Sequence, residues 1–224
     1  MPADYDVITF DCYGTLIDWN RGISAALLAA ARRAGVALDR AAALAAYHAV
    51  EPAVESGAYR PYREVLAETA RQVAARLGWS MDDAEAQRFA ASLPDWPPFP
   101  DTAAALGRLA AAGYTLGILS NVDDDLLSGS IRHFGAPINL IVTAQQIGSY
   151  KPALGHFRAA RERIGGLRWL HAAQSLFHDV APANELSLPV VWVNRLGEPL
   201  PAGGPTPLAE VPSLAALAEW LGAP

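Results

Sequence analysis

Three short polar sites in this chain stand directly after predicted strands, where carboxylates, hydroxyls and amides are placed to act on a ligand. Asp11 ends the apolar run Val7-Ile8-Thr9-Phe10, Ser120 and Asn121 end Thr115 to Leu119, and Asp179 follows a strand read over Ser175 to Phe177. Open α/β sheets bind ligands at the carboxyl ends of their strands, and parallel strands bring those ends to one edge. Two carboxylates crowded into one cleft need a cation. The chain has a single lysine, Lys151, in Ser149-Tyr150-Lys151-Pro152, and a nearby ammonium would keep Asp11 ionised. His178, next to Asp179, has the side chain best suited to accept a proton near neutral pH. Plainer readings stay open beside these. Asp11 could cap a turn, Ser120 and Asn121 a helix, Lys151 could be solvated, and His178 only structural.

The elements that must position these residues alternate. Helices are expected over Ile23 to Gly35, Ala41 to Glu55 behind an Asp39 cap, Tyr62 to Leu77, and Met81 to Leu93. Pro52 predicts a kink or early end in the second. Pro94-Asp95-Trp96-Pro97-Pro98-Phe99-Pro100 cannot continue a helix and reads as a stiff connector. Beyond it, helices over Thr102 to Ala112, Asp123 to Phe134 and Pro152 to Ile164 alternate with strands over Thr115 to Leu119, Leu140 to Val142, Ser175 to Phe177 and Val190 to Val193. Gly197 to Pro212 is expected to be a surface loop and Ser213 to Leu221 a closing helix. This order predicts an α/β fold, a Rossmann-like parallel sheet core flanked by helices, with an all-helical insertion after the first strand.

At 224 residues with 52% apolar and 18% charged side chains, the chain can bury a sizeable core. A net charge of −6 argues against nucleic acid or anionic membrane as a partner. A small anionic substrate would then depend on a local basic pocket. Cys12 is the one cysteine, so no intramolecular disulfide or thiolate metal cluster is available. The acidic start lacks the features of a signal peptide, and no apolar run reaches membrane-spanning length; a cytoplasmic protein is the expectation. A homodimer is compatible with the sequence.

Phe10-Asp11-Cys12-Tyr13-Gly14-Thr15-Leu16 resembles the first motif of the haloacid dehalogenase superfamily, whose aspartate is a covalent nucleophile. Superfamily phosphatases usually carry a second acid two residues later, to protonate a leaving alcohol. Tyr13 stands there instead, and because halide needs no proton, the pattern is similar to the L-2-haloacid dehalogenase branch. Leu116 to Asn121 resembles the second motif, in which Ser120 and Asn121 would bind the anionic end of the substrate or the leaving group. Ser149 to Pro152 resembles the third, in which Lys151 neutralises the nucleophile. The resemblance covers essentially the whole chain and implies a core of residues 1–17 and 98–224 with a helical cap of residues 18–97.

It also implies catalytic roles for Asp11, Thr15, Ser120, Lys151 and Asp179, and substrate or halide contacts by Tyr13, Asn121 and Asn184; His178 as a catalytic base, and His48 and Arg60 as substrate contacts, are added by their chemistry alone. The fourth motif departs from the pattern: Asp179 is its one acid, with Asn184 where a second might stand. Phe157 replaces a tyrosine of the dehalogenases, and their cap arginine has no counterpart, the second helix offering His48 and Glu51 instead. The expected activity is hydrolysis of a small 2-halocarboxylic acid through an aspartyl ester, with no cofactor. Two alternatives remain: a magnesium-dependent phosphatase, and a non-catalytic protein that binds a small anion.

Overall fold

The computed structural model describes residues 4–223; residues 1–3, which belong to the acidic start read above, and residue 224 lie outside it. Val7–Phe10 (β1), Thr115–Ser120 (β2), Leu140–Thr143 (β3), Trp169–Ala173 (β4), Val190–Val193 (β5) and Ala209–Val211 (β6) form one sheet in the order β3-β2-β1-β4-β5-β6. Every pairing is parallel. Each residue of β1, β4 and β5 is buried, as expected when helices cover both faces. β1 lies centrally, between β2 and β4, so its end faces the switch in strand order where such sheets bind ligands.

Four helices follow β1: Trp19–Arg33 (α1), Arg40–Glu55 (α2), Tyr62–Arg76 (α3) and Asp83–Ala91 (α4). Asp18, Asp39 and Asp82 accept the N–H groups of Arg21, Ala42 and Glu85 and so cap α1, α2 and α4. The first of these caps starts α1 four residues ahead of the expected Ile23. Pro52 does not end α2, because it falls in the final turn, where few backbone bonds remain to be lost. The N-terminus of α3 is capped from outside the insertion, by buried Asp123, which accepts Tyr62 and Arg63 N–H at 2.8 and 3.0 Å. Among the described residues no helix is long and apolar enough to cross a membrane.

The chain leaves and re-enters the sheet at one place. Asp18 N–H donates to Pro97 O, and Phe99 N–H to Leu16 O, so the outgoing and returning segments run antiparallel side by side. The connector is partly helical, with a 3-10 turn over Leu93–Asp95. Thr102–Ala111 (α5), Asp124–Ile131 (α6), Ala144–Ile147 (α7), Gly155–Ile164 (α8), Ala181–Glu185 (α9) and Leu214–Trp220 (α10) complete the helices.

Two expectations about strands fail. The fourth strand is Trp169–Ala173, not Ser175 to Phe177; the latter segment enters a π-helical turn over Leu176–Val180 whose first residue follows the Ser175 cap. Trp169 and His171 hide this strand in sequence because their polar atoms find buried partners. β6 lies within the presumed loop, a three-residue edge strand too short to show a period.

Gly22 of α1 lies against the connector: a Cβ there would meet the Trp96 ring at 2.2 Å. Helix propensity favours Ala over Gly by about 1 kcal/mol, whereas overpacking typically costs about 1–3 kcal/mol. A clash this deep puts the balance against Ala, so Gly22→Ala lowers the melting temperature by about 2–8 °C. Gly107→Ala in α5, with open space around its Cβ, does not lower it. Equal melting temperatures for the two variants would contradict this packing.

Candidate active site

Asp11 is the first residue beyond β1 and is buried at the carboxyl edge of the sheet. Its Oδ2 accepts the Thr15 hydroxyl at 2.8 Å, and Thr15 Oγ1 in turn accepts Gln174 N–H at 2.9 Å. The backbone amide can only donate, so the Thr15 proton is directed at Asp11. The turn between them needs Gly14, at φ +96°, while Leu16 and Ile17 both donate to Cys12 O. Arg195 secures the same loop, donating to Thr15 O at 2.9 Å and to Asp101 Oδ1 at 2.9 Å, with its guanidinium 3.9 Å from the centre of the Phe99 ring.

Lys151 is fully engaged. Its Nζ donates to Asp11 Oδ1 at 3.0 Å, Leu119 O at 2.9 Å and Asp179 Oδ1 at 2.6 Å, which accounts for all three of its protons. The Asn121 amide holds its backbone, Oδ1 accepting Lys151 N–H at 2.7 Å and Nδ2 donating to Lys151 O at 3.0 Å. Burial pulls against the charged ammonium, but Asp11 and Asp179 outweigh it and raise the Lys151 pKa. Burial, with Asp179 nearby, pushes the Asp11 carboxyl above its usual range, against the pull of Lys151 and Thr15. Asp179 is also buried, yet Lys151 and His171 hold it well below the ordinary carboxylate range.

Asp179 is oriented by a buried relay that no sequence signal revealed. Trp169 Nε1–H donates to Thr9 Oγ1 at 2.7 Å; Thr9 Oγ1 lies 2.8 Å from His171 Nδ1, and His171 Nε2 lies 3.0 Å from Asp179 Oδ1. Indole can only donate, so the Thr9 hydroxyl oxygen accepts from Trp169 and bridges it to His171 Nδ1. Ionised Asp179 can only accept, so His171 carries a proton on Nε2 and donates it to Asp179. The other carboxylate oxygen, Asp179 Oδ2, is buried with no hydrogen-bond partner among the described residues.

These groups border a cavity of about 260 Å³ that Asp11, Tyr13, His48, Ser120, Lys151, His178 and Asp179 all line. Ser120 Oγ is buried there with no partner among the described residues, its backbone carbonyl being held by His156 Nε2 at 3.2 Å. Burial lowers the His156 pKa to about 3, so that ring is neutral and donates. Tyr13 hydroxyl pairs with Ser130 at 3.0 Å, and burial lifts its pKa well above that of a free phenol. His48 pairs with Asn20 at 2.9 Å.

Glu51 and Glu55 of α2 also face the cavity. Burial, reinforced by Glu55, raises the Glu51 pKa to about 7. Glu55 accepts Asn121 Nδ2 at 3.2 Å and lies 3.7 Å from His178 Nε2. Glu51 is the acid that the sequence offered beside His48; Glu55 carried no such signal, and the packing of α2 over the sheet edge reveals it.

Two predicted substrate contacts lie elsewhere. Asn184, carried away by the π turn and α9, exchanges hydrogen bonds with the Thr206 backbone at 3.0 and 2.7 Å on an exposed face. Arg60 donates to Val54 O at 2.9 Å, ending α2, and does not line the cavity.

Removing the Lys151 charge leaves two buried carboxylates facing one another, which typically costs about 3–5 kcal/mol. Their folded-state pKa values then rise above those of the unfolded chain, so the penalty grows as pH rises past the ordinary carboxylate range. Lys151→Met therefore melts well below the parent at pH 8, with a smaller deficit at pH 5; a deficit independent of pH counts against the ion triad. Thr9→Val leaves the Trp169 N–H and His171 Nδ1 without partners and lowers unfolding free energy by about 1–3 kcal/mol in urea titrations.

A sequence model of haloacid dehalogenase-like hydrolases matches residues 5–177. An (S)-2-haloacid dehalogenase of Pseudomonas putida, designated H-109, is 27% identical over 96% of both chains. Among solved structures, a defluorinating L-2-haloacid dehalogenase superposes with a TM-score of 0.84 at 22% identity, covering 98% of this chain and 96% of its own. The L-2-haloacid dehalogenase of Xanthobacter autotrophicus gives a TM-score of 0.82 at 20% identity, covering 97% and 98%. The family match takes in β1, the helical insertion, the lysine and the segment leading to Asp179, and with it the chain belongs to the haloacid dehalogenase-like hydrolases.

Proposed function

We propose that this hydrolase is a 2-haloacid dehalogenase, in which Asp11 displaces halide from carbon and forms an ester that water then cleaves. The observation that carries this reading is the Asp11 environment. A buried carboxylate, its pKa raised by burial, is held at both oxygens by Lys151 and Thr15 and opens onto a cavity with no acid at position 13. In the first step an Asp11 oxygen bonds to the substrate carbon as the carbon–halogen bond breaks, and halide departs with the electron pair toward the wall made by Tyr13 and Asn121. No proton is transferred, so the phenol of Tyr13 is compatible with the step. Ser120 Oγ–H, free of other partners, is suited to hold the substrate carboxylate.

In the second step water attacks the ester carbonyl carbon of Asp11, the bond from that carbon to the ester oxygen breaks, and the alkoxide takes up the proton drawn from the water and leaves as the 2-hydroxy acid. Asp179 accepts from Lys151 and His171, which leaves it weakly basic; its free Oδ2 is suited to orient water. His178 is the stronger base. With its proton on Nδ1, directed to Ser175 Oγ at 3.1 Å, Nε2 is left facing Glu55 and able to take the proton. Burial lowers the His178 pKa, but Glu55 more than compensates and the net shift is upward.

The donor set supports the metal-free reading over the magnesium of the phosphatase alternative. Hard divalent cations take several oxygen ligands, whereas the Lys151 ammonium occupies the space between the two carboxylates. Among the described residues no cluster of three acidic, histidine or cysteine side chains is arranged to hold an ion.

Halide release from 2-chloropropionate is expected to be undiminished by EDTA and abolished by Asp11→Asn. In labelled water under single turnover the hydroxy acid should carry no label; labelled product would rule out the ester. Ester hydrolysis should fall as pH drops through a His178 pKa above the ordinary imidazole value. Glu55→Gln moves that limb to lower pH and His178→Gln removes it, whereas an unmoved limb in both would assign the base elsewhere.

A further inference from the structure

A larger cleft, about 670 Å³, runs along the seam between α2 and the Lys151 loop and borders the catalytic cavity. The two share Glu51, Pro52, Glu55, Lys151 and His178 as lining, at the neck where they meet. We infer that this cleft is a second compartment of the substrate site, receiving an uncharged apolar arm, aryl or extended alkyl, attached to the carbon that Asp11 attacks. The inference rests on the dehalogenase reading for its reacting end and adds the class of molecule that end belongs to.

Size gives the first argument. A short haloacid needs only the 260 Å³ cavity, whereas 670 Å³ is in the range of pockets that enclose drug-sized ligands. Wall chemistry gives the second. Tyr59, Tyr150, Pro152, Ala153 and Phe177 supply mainly apolar surface, with the Tyr59 and Tyr150 rings tilted at 5.4 Å. Phe177 is 65% exposed although its ring packs edge-on against His178 at 4.9 Å, so a large apolar side chain stands open to water beside the proposed base.

Charge gives the third. All three Lys151 protons are taken, His178 faces Glu55, and none of the described residues lining the cleft is an arginine. Two acids of α2 flank the neck. A second carboxylate on the arm would therefore meet no free cation, while an alkyl or aryl group meets rings and proline. Full burial of each added methylene tightens binding about fourfold.

The test compares halide release from 2-bromopropionate, 2-bromooctanoate and α-bromophenylacetate by the parent chain, Ala153→Trp and Ser56→Trp. Both substituted residues are exposed on opposite walls of the cleft and outside the catalytic cavity. The expected result is a KM for bromooctanoate at least tenfold below that for bromopropionate, raised tenfold or more by either tryptophan while bromopropionate kinetics stay unchanged. Similar KM values for short and long acids, or indifference to both tryptophans, would overturn the inference. If no acid releases halide, the dehalogenase reading fails and calorimetry with octanamide and propanamide decides the compartment alone. Octanamide binding that either tryptophan weakens tenfold supports it, and equal weak binding of both amides overturns it. A parent chain that elutes as a dimer, converted to monomer by Ala153→Trp, would also overturn it by making the cleft a contact between two copies.

Discussion

A single ammonium group buried between two carboxylates governs how this site is built. Lys151 neutralises Asp11 and Asp179 at once, and without it the end of β1 could not hold an ionised carboxylate away from water. The surrounding structure keeps that group in place. Asn121 clamps its backbone on both sides, Leu119 O takes its third proton, and β2 carries both of those residues to the edge where Asp11 emerges. The two carboxylates are then differentiated by what else they touch. Asp179 takes a second donor in His171 and is acidified, while burial leaves Asp11 the more basic, as the nucleophile proposed above requires.

Much of this was legible in the sequence because strand ends are punctuated sharply. Phe10 to Asp11 and Leu119 to Ser120 are abrupt changes from apolar to polar, and parallel topology alone brings such ends together. A lone lysine among many arginines was equally conspicuous. The relay beneath Asp179 was not, since Trp169 and His171 interrupt an apolar run and reveal their purpose only when Thr9 of the neighbouring strand lies opposite. With that strand missed, the turn after it was misread as a strand. The position of Asn184 followed from counting residues past Asp179, which a π turn and a short helix make unreliable.

The helical insertion contributes charge as well as cover. Glu51 and Glu55 come from α2, whereas Asn121 and His178, the partners of Glu55, come from the sheet side, so the floor of the cavity is assembled across the seam. Asp123 capping α3 and Tyr150 donating to Arg60 O at 2.6 Å fasten the same seam at other points. Sequence periodicity finds the helices but not which of their acids face inward. That depends on how α2 lies over the sheet edge, a long-range property.

The paired crossings at Leu16–Asp18 and Pro97–Phe99 have a consequence for how such a chain can change over time. Both ends of the helical unit are anchored at one spot, a few bonds past Thr15, and the sheet does not need the intervening residues to keep its strand order. A different insert with the same two ends could be spliced there, leaving Asp11, Lys151 and the relay unaltered. The chemistry would then be inherited from one segment and the choice of molecule from another, exchangeable as a cassette.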